Sequence, residues 1–131
     1  DQKKVVRKIF EPISEIYELE EQKLDPFLAL TSSGPAYLAL VVEAMADGAV
    51  AAGLPRHLSN ELAHKTLSGT ASLLGEKGLH PAELKDMVAS PAGTTISALR
   101  HLELAGLRSA LIEAVVLAAQ KSRQLAEEVS S

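Results

Sequence analysis

The amino-acid sequence predicts an all-α domain of long helices, and three observations carry that expectation. Of the 131 residues 47% are apolar, yet only 3% are aromatic and Trp is absent. Such a core is built from Leu, Val, Ile and Ala, which suits closely packed helices better than a sandwich of sheets. Prolines and glycines fall mainly between periodic stretches, as punctuation. Two stretches, 36–52 and 110–119, are apolar nearly all round, broken only by Glu43 and Asp47 in the first and Glu113 in the second. A helix of that kind must be covered on every side. A single domain of this length can hide one such helix but hardly two. The second calls for an interface between identical chains, and the Ala and Gly content lets helices approach closely.

The elements follow in order. Gln2 to Glu11 reads as a helix stopped by Pro12. Between Ile13 and Glu20 the alternation is poor, but Ile16, Tyr17 and Leu19 favour one short strand. Leu24 to Leu30 reads as a short helix. Ser33-Gly34-Pro35 is a start signal, with Ser33 as candidate N-cap, for a helix running to Ala52 and ending at Gly53. Pro55 opens the next, which continues to Glu76 before Gly78 stops it. Pro81 starts a short helix ending near Ala89. After a loop over Ser90 to Thr95, a helix from Thr95 or Ile96 runs to Ala105, with Gly106 at the C′ position. The last helix covers Arg108 to Glu128.

Charge and composition exclude several classes of function. The net charge is −4, and the longest basic cluster is Lys3-Lys4 with Arg7-Lys8, which argues against nucleic acid as partner. With no cysteine, disulfides and thiolate metal sites are ruled out, and a reducing compartment fits. The most apolar run is 17 residues and carries two acids, whereas a membrane span wants about 20 apolar residues, so a soluble chain is expected. Glu61 and His64 form one E-x-x-H, but a di-iron bundle needs a second copy. His57, His64, His80 and His101 are scattered, and no metal site is expected.

One stretch does not behave as a plain connector. Residues 88–97, VASPAGTTIS, carry no charge but gather Ser90, Gly93, Thr94, Thr95 and Ser97 around Pro91. A helix N-terminus presents unpaired N–H groups and a partial positive charge of roughly half a unit, so it binds anions. Gly93 lets the backbone come close to a ligand, and Thr94 and Thr95 add hydroxyl donors. A small carboxylate could be held here without arginine. The plainer reading is a helix cap, with Thr94 or Thr95 as N-cap and Pro91-Ala92-Gly93 as a turn. On local pattern alone caps far outnumber anion sites.

A resemblance changes that balance. LHPAELKDMVASPAGTTISALRHLE (79–103) resembles the C-terminal signature of the pyrroline-5-carboxylate reductases, which make proline. LTSSGPAYLALVVEAMADGAVAAGLPR (30–56) is similar to that family's Ser-Gly-Pro-Ala-Tyr helix and Gly-Leu-Pro-Arg break, and LRSALIEAV (107–115) to its last helix. The resemblance covers essentially residues 1 to 126. It implies that residues 1–20 correspond to the last helix and strand of a Rossmann domain absent from this chain, and 21–131 to a helical domain that intertwines with its twin. It also implies a cytoplasmic enzyme of proline biosynthesis, active as a homodimer or an assembly of dimers. That enzyme reduces a cyclic imino acid with NADP or NAD as cofactor, and this chain alone would be inactive. Ser90, Gly93 and Thr94 would hold the substrate carboxylate, and Thr95, the candidate catalytic residue, would hydrogen-bond near the ring nitrogen. Ser33, Gly34 and Pro35 would border the nicotinamide. The alternative from another class is a stand-alone helical dimerisation module without catalysis. Three positions depart from the family pattern: Ala92 stands where Gly is usual, Ala89 where Thr or Ser is common, and Thr31-Ser32 where Ser-Gly is usual. Ala92 matters most, because a backbone needing positive φ there disfavours any side chain.

Overall fold

The computed structural model describes residues 2–130; Asp1 and Ser131, the outer ends of the two expected segments, lie outside them. Seven helices run in order: α1 (Gln2–Phe10), then a 3-10 turn (Glu21–Lys23), α2 (Leu24–Thr31), α3 (Gly34–Ala51), α4 (Arg56–Lys77), α5 (Pro81–Val88), α6 (Thr94–Leu104) and α7 (Leu107–Ser130). The all-α expectation holds, with most boundaries within one or two residues of those read from the sequence. Gly78 (φ 61°) ends α4 and Gly106 (φ 79°) turns the chain between α6 and α7, both in the left-handed region.

The short strand does not form. No strand occurs among the described residues, and 15–20 lack regular structure. An isolated strand has no neighbour for its backbone groups, and here side chains hold the segment instead. The Tyr17 ring meets Phe27 of α2, centroids 6.1 Å apart. Glu18 accepts from Arg7 Nη2 at 2.8 Å and lies 3.6 Å from Lys3 Nζ. That pairing, led by the Arg7 hydrogen bond, holds the Glu18 carboxyl below the usual range.

Two helix pairs make the body: α2 lies along α7, and α3 along α4. The α7 face that meets α2 is half-buried and small (Ala114, Val115, Ala118, Ala119, Ser122), closing on buried Ala29. Asp25 and Arg123 pair across the same seam at 3.6 Å. Between α3 and α4 the core is Val42, Ala46 and Ala63, with Leu67 against it. Ser59 is fully buried and its hydroxyl donates to the Pro55 carbonyl at 3.0 Å, so the polar group is satisfied where α4 begins.

That core is small for the chain. Leu40 is 67% exposed on α3, and Ile112 and Leu117 are each 59% exposed on α7. The accessible surface is 10429 Å², more than half again the roughly 6,700 Å² of a compact monomer of this mass. The two nearly all-apolar helices are therefore covered on one side each, and their other sides are open in the single chain.

Candidate functional site

The loop before α6 is a tight turn. Gly93 N–H donates to the Ser90 carbonyl at 3.1 Å, with Pro91 and Ala92 as the central residues. Proline fixes the first of these, and Ala92 takes φ 53°, the positive value that a type II turn demands at the second. Among the described residues Ala92 is the one non-glycine with positive φ. Gly93 is needed for a different reason. A Cβ there would lie 2.3 Å from Ser90 Oγ and 3.2 Å from its carbonyl oxygen. The turn thus folds the Ser90 hydroxyl back across Gly93, toward the start of α6.

The cap itself differs from the expected one. Gly93 (φ −81°, ψ 176°), not Thr94 or Thr95, occupies the N-cap position, and no side chain caps α6. Both the backbone N–H and the hydroxyl of Ser97 bond instead to the Gly93 carbonyl, the hydroxyl at 3.1 Å. The plain capping role for the threonines is therefore overturned. Their hydroxyls, that of Ser90 and the first-turn N–H groups of α6 make no hydrogen bond within the chain. These donors lie within six residues of chain and carry no formal charge, a chemistry suited to a carboxylate.

Thr95 is half-buried and faces a cleft of about 700 Å³ among α3, α4, α5 and α6, whose walls include Met45, Leu73, Leu84 and Leu99. Thr66 and Thr70 also line it, but their hydroxyls donate to the Leu62 and Thr66 carbonyls at 2.8 and 2.7 Å. Of the cleft's hydroxyls only Thr95 is uncommitted. The two lysines on its rim are paired, Lys65 with Glu61 and Lys85 with Asp86.

The second group of candidate residues sits elsewhere. Ser33 occupies the N-cap position of α3, as expected, but with helical backbone (φ −87°, ψ −26°) and no side-chain capping bond, so its hydroxyl is free. Gly34 is buried at the first turn of α3, and a Cβ on it would meet nothing within 4 Å. Pro35 borders a separate cleft of about 580 Å³ between α3 and α4. Pro35 and Met45, which mark the two clefts on α3, are ten residues apart, about 15 Å of helix. One chain therefore assembles Ser90, Gly93, Thr94 and Thr95, and separately Ser33, Gly34 and Pro35, but does not join the two groups.

Two of the other polar groups are held locally. His80 caps α5: its Nδ1 accepts from Ala82 N–H at 3.2 Å, while Glu83 accepts from His80 N–H at 2.8 Å. Glu61 of the E-x-x-H is taken by Lys65. Among the described residues no group of three or more acidic or imidazole side chains is placed to hold a metal. Reading the sequence missed the cleft between α3 and α4 as a unit, although Asn60 and His64, one turn apart on α4, were a legible signal of a shared face.

Known proteins share this sequence and this fold. The sequence model of the family described as pyrroline-5-carboxylate reductase dimerisation matches residues 21–125. The pyrroline-5-carboxylate reductase of Glycine max is 49% identical over 92% of this chain and 44% of its own length. That of Thermus thermophilus is 46% identical over 92% and 46% respectively. A crystal structure of Plasmodium falciparum pyrroline carboxylate reductase with NADP bound superposes with a TM-score of 0.85 at 34% identity, over 93% of this chain and 47% of that one. A Coxiella burnetii pyrroline-5-carboxylate reductase gives 0.86 at 31% identity, over 95% and 46%. The chain spans somewhat under half the length of the relatives it matches.

Proposed function

The chain belongs to the pyrroline-5-carboxylate reductase family through its dimerisation domain, and from that premise we propose that it is the dimerising, substrate-holding half of a soluble cytoplasmic enzyme that reduces 1-pyrroline-5-carboxylate to proline. Residues 1–20 then belong with a dinucleotide-binding domain and 21–131 form the helical domain. The observation that supports the reading best is the uncapped start of α6. Ser90, Thr94 and the α6 N–H groups meet the substrate carboxylate there, and the half-buried Thr95 hydroxyl points to the ring. No arginine stands in the turn, so a cationic imine can lie against it without repulsion.

The reduced nicotinamide, NADPH or NADH, supplies the hydride when bound. The residues here fit only its ring end: Gly34 leaves open space beside the free Ser33 hydroxyl, with Pro35 as an apolar edge. No glycine-rich phosphate motif accompanies them. What the chain itself contributes is orientation. The carboxylate contacts fix one end of the flat substrate, and the Thr95 hydroxyl holds a hydrogen bond at the nitrogen, which must gain or keep a proton as the C=N bond is reduced. Because one chain separates the two groups of residues, a complete site draws Ser33–Pro35 and Ser90–Thr95 together across the dimer.

A chimera tests this: this chain replaces the corresponding half of the Thermus thermophilus reductase, and oxidation of NADPH with the cyclic imine is followed. Turnover that depends on Thr95 is expected. A folded, dimeric chimera that binds NADPH yet turns over no imine would refute the assignment.

A further inference from the structure

The helical ladder is interrupted between α2 and α3, where Ser33, Gly34 and Pro35 sit. Ser32 and Ser33 keep helical backbone (φ −86° and −87°), but Pro35 has no N–H to donate. Ser33 N–H passes over Ala29, its ordinary partner, and bonds to the Leu28 carbonyl at 3.2 Å, while Ala36 N–H bonds to Ser33 at 3.0 Å in place of Ser32. Such a break in the ladder is a point where a helix can change direction. Beyond it the two helices take different partners: α2 lies along α7, whereas α3 lies along α4. Tyr37 crosses that divide. It stands half-buried in the first turn of α3, and its hydroxyl donates to the Ala114 carbonyl of α7 at 3.5 Å. Asp25 of α2 is tied to the same helix through Arg123 at 3.6 Å, so both sides of the break are fastened to α7.

We propose that Tyr37 is a positioning residue: by fastening the first turn of α3 to α7 it sets the break, and with it the place of the Ser33 hydroxyl and the Pro35 edge. That these two meet the nicotinamide rests on the reductase reading; the fastening does not. A phenol suits the task. Its rigid ring turns about only two bonds and so holds a fixed span, and a carbonyl inside a helix has a second lone pair to offer. Ser33 makes no capping bond of its own, so its position follows from the helices on either side. Ser90 to Thr95 lie between α5 and α6 and at the start of α6, away from this tie, and should not respond to it.

Tyr37→Phe keeps the ring and removes the hydroxyl. In the 131-residue chain, NMR should show the Ala114 carbonyl carbon and the Ser33 and Gly34 amides shifting in this variant, while the amides of Thr94 and Thr95 stay in place. Unmoved Ala114 and Ser33 signals would overturn the proposal and leave the reductase reading untouched. In the chimera, the Kd for NADPH, measured by titration without turnover, should rise about five- to tenfold, the loss of one well-placed hydrogen bond. The KM for the imine should stay within roughly twofold, because the carboxylate contacts are elsewhere. Ser33→Ala and Tyr37→Phe combined should weaken NADPH binding by less than the product of their separate effects, since the tyrosine acts through the serine. Fully multiplicative effects, or an imine KM that rises as much as the Kd for NADPH, would overturn the proposal. Shifted signals with NADPH affinity unchanged in both single variants would uphold the fastening and remove Ser33 and Pro35 from the nicotinamide.

Discussion

Replacing Ala92 with glycine should stabilise the protein, although glycine in an ordinary turn does the reverse. Ala92 stands at φ 53°, where its Cβ crowds the following carbonyl; that region costs an L-residue about 1–2 kcal/mol. Ala92→Gly removes this cost but gives the unfolded chain more freedom, worth about 0.4–1 kcal/mol. The net gain is about 0.5–1 kcal/mol. For a domain of 131 residues, that corresponds to a rise in Tm of roughly 2–4 °C. Thermal unfolding followed by circular dichroism, at one fixed concentration because the chain dimerises, measures it. Ala92→Val is the control: a β-branched residue is still worse at positive φ, so its Tm should fall by more than Ala92→Gly raises it. A fall in Tm for the glycine variant, by the amount expected of a residue at negative φ, would show that the turn is not the one described and would remove the account of Gly93 with it.

Four further outcomes are expected. Val116→Glu or Leu117→Glu, on the open face of α7, should abolish the dimer and much of the helicity together, since an unpaired buried charge costs several kcal/mol; a stable dimer by sedimentation would contradict the interface. Gly93→Ala forces the Ser90 hydroxyl aside and should weaken carboxylate binding at least tenfold in the chimera, read as KM, while Tm shifts by no more than a few degrees. Glu18 is held below its usual range by Arg7, so its tie to α1 is complete above the ordinary glutamate pKa of about 4.3 and is lost as pH falls through the lowered value; amide shifts of α1 should move on acidification, and in Glu18→Gln should look acid-like already at pH 7. In the chimera Thr95→Ala should lower kcat/KM tenfold or more, about 1.4 kcal/mol of transition-state contact, whereas Thr95→Ser keeps most activity; wild-type kinetics with a lowered Tm would leave Thr95 a purely structural role.

The helices were legible because their signals are local. Pro35, Pro55 and Pro81 each stand at or next to a helix start, and Gly78 and Gly106 follow helix ends, where backbone geometry depends on few neighbours. The strand over 13–20 was not legible for the opposite reason. Whether Ile16, Tyr17 and Leu19 become a strand depends on an adjacent strand, and the described residues supply Phe27 and Arg7 instead. The cap of α6 misled for a subtler reason. Threonine caps through its side chain, so its presence beside a helix start is normally sufficient; here Gly93 adopts the cap conformation and Ser97 saturates its carbonyl, leaving the threonine hydroxyls over. Local pattern favoured a threonine cap, and the hydrogen bonds show that Gly93 stands at that position instead.

On the proposed reading, the uncommitted hydroxyls explain how a carboxylate is held at this turn with so little charge. A lone arginine would hold a carboxylate strongly, but it would oppose a protonated imine in the same small space, about 4 kcal/mol for like charges 4 Å apart at an effective dielectric of 20. Backbone N–H groups at a helix start carry only a partial charge, fixed by α6 itself, and hydroxyls can donate or accept as the ring nitrogen changes. Such a set is weak when wet, because water competes for every donor. Ser90 and Thr94 are exposed in the single chain and Thr95 is half-buried. Their strength therefore depends on the surface that closes over them, and the uncovered faces of α3 and α7 point to the second copy as the source of that cover. Dimerisation and substrate binding are on this argument one requirement: a variant that loses the dimer should lose the carboxylate site even with every residue of the turn intact.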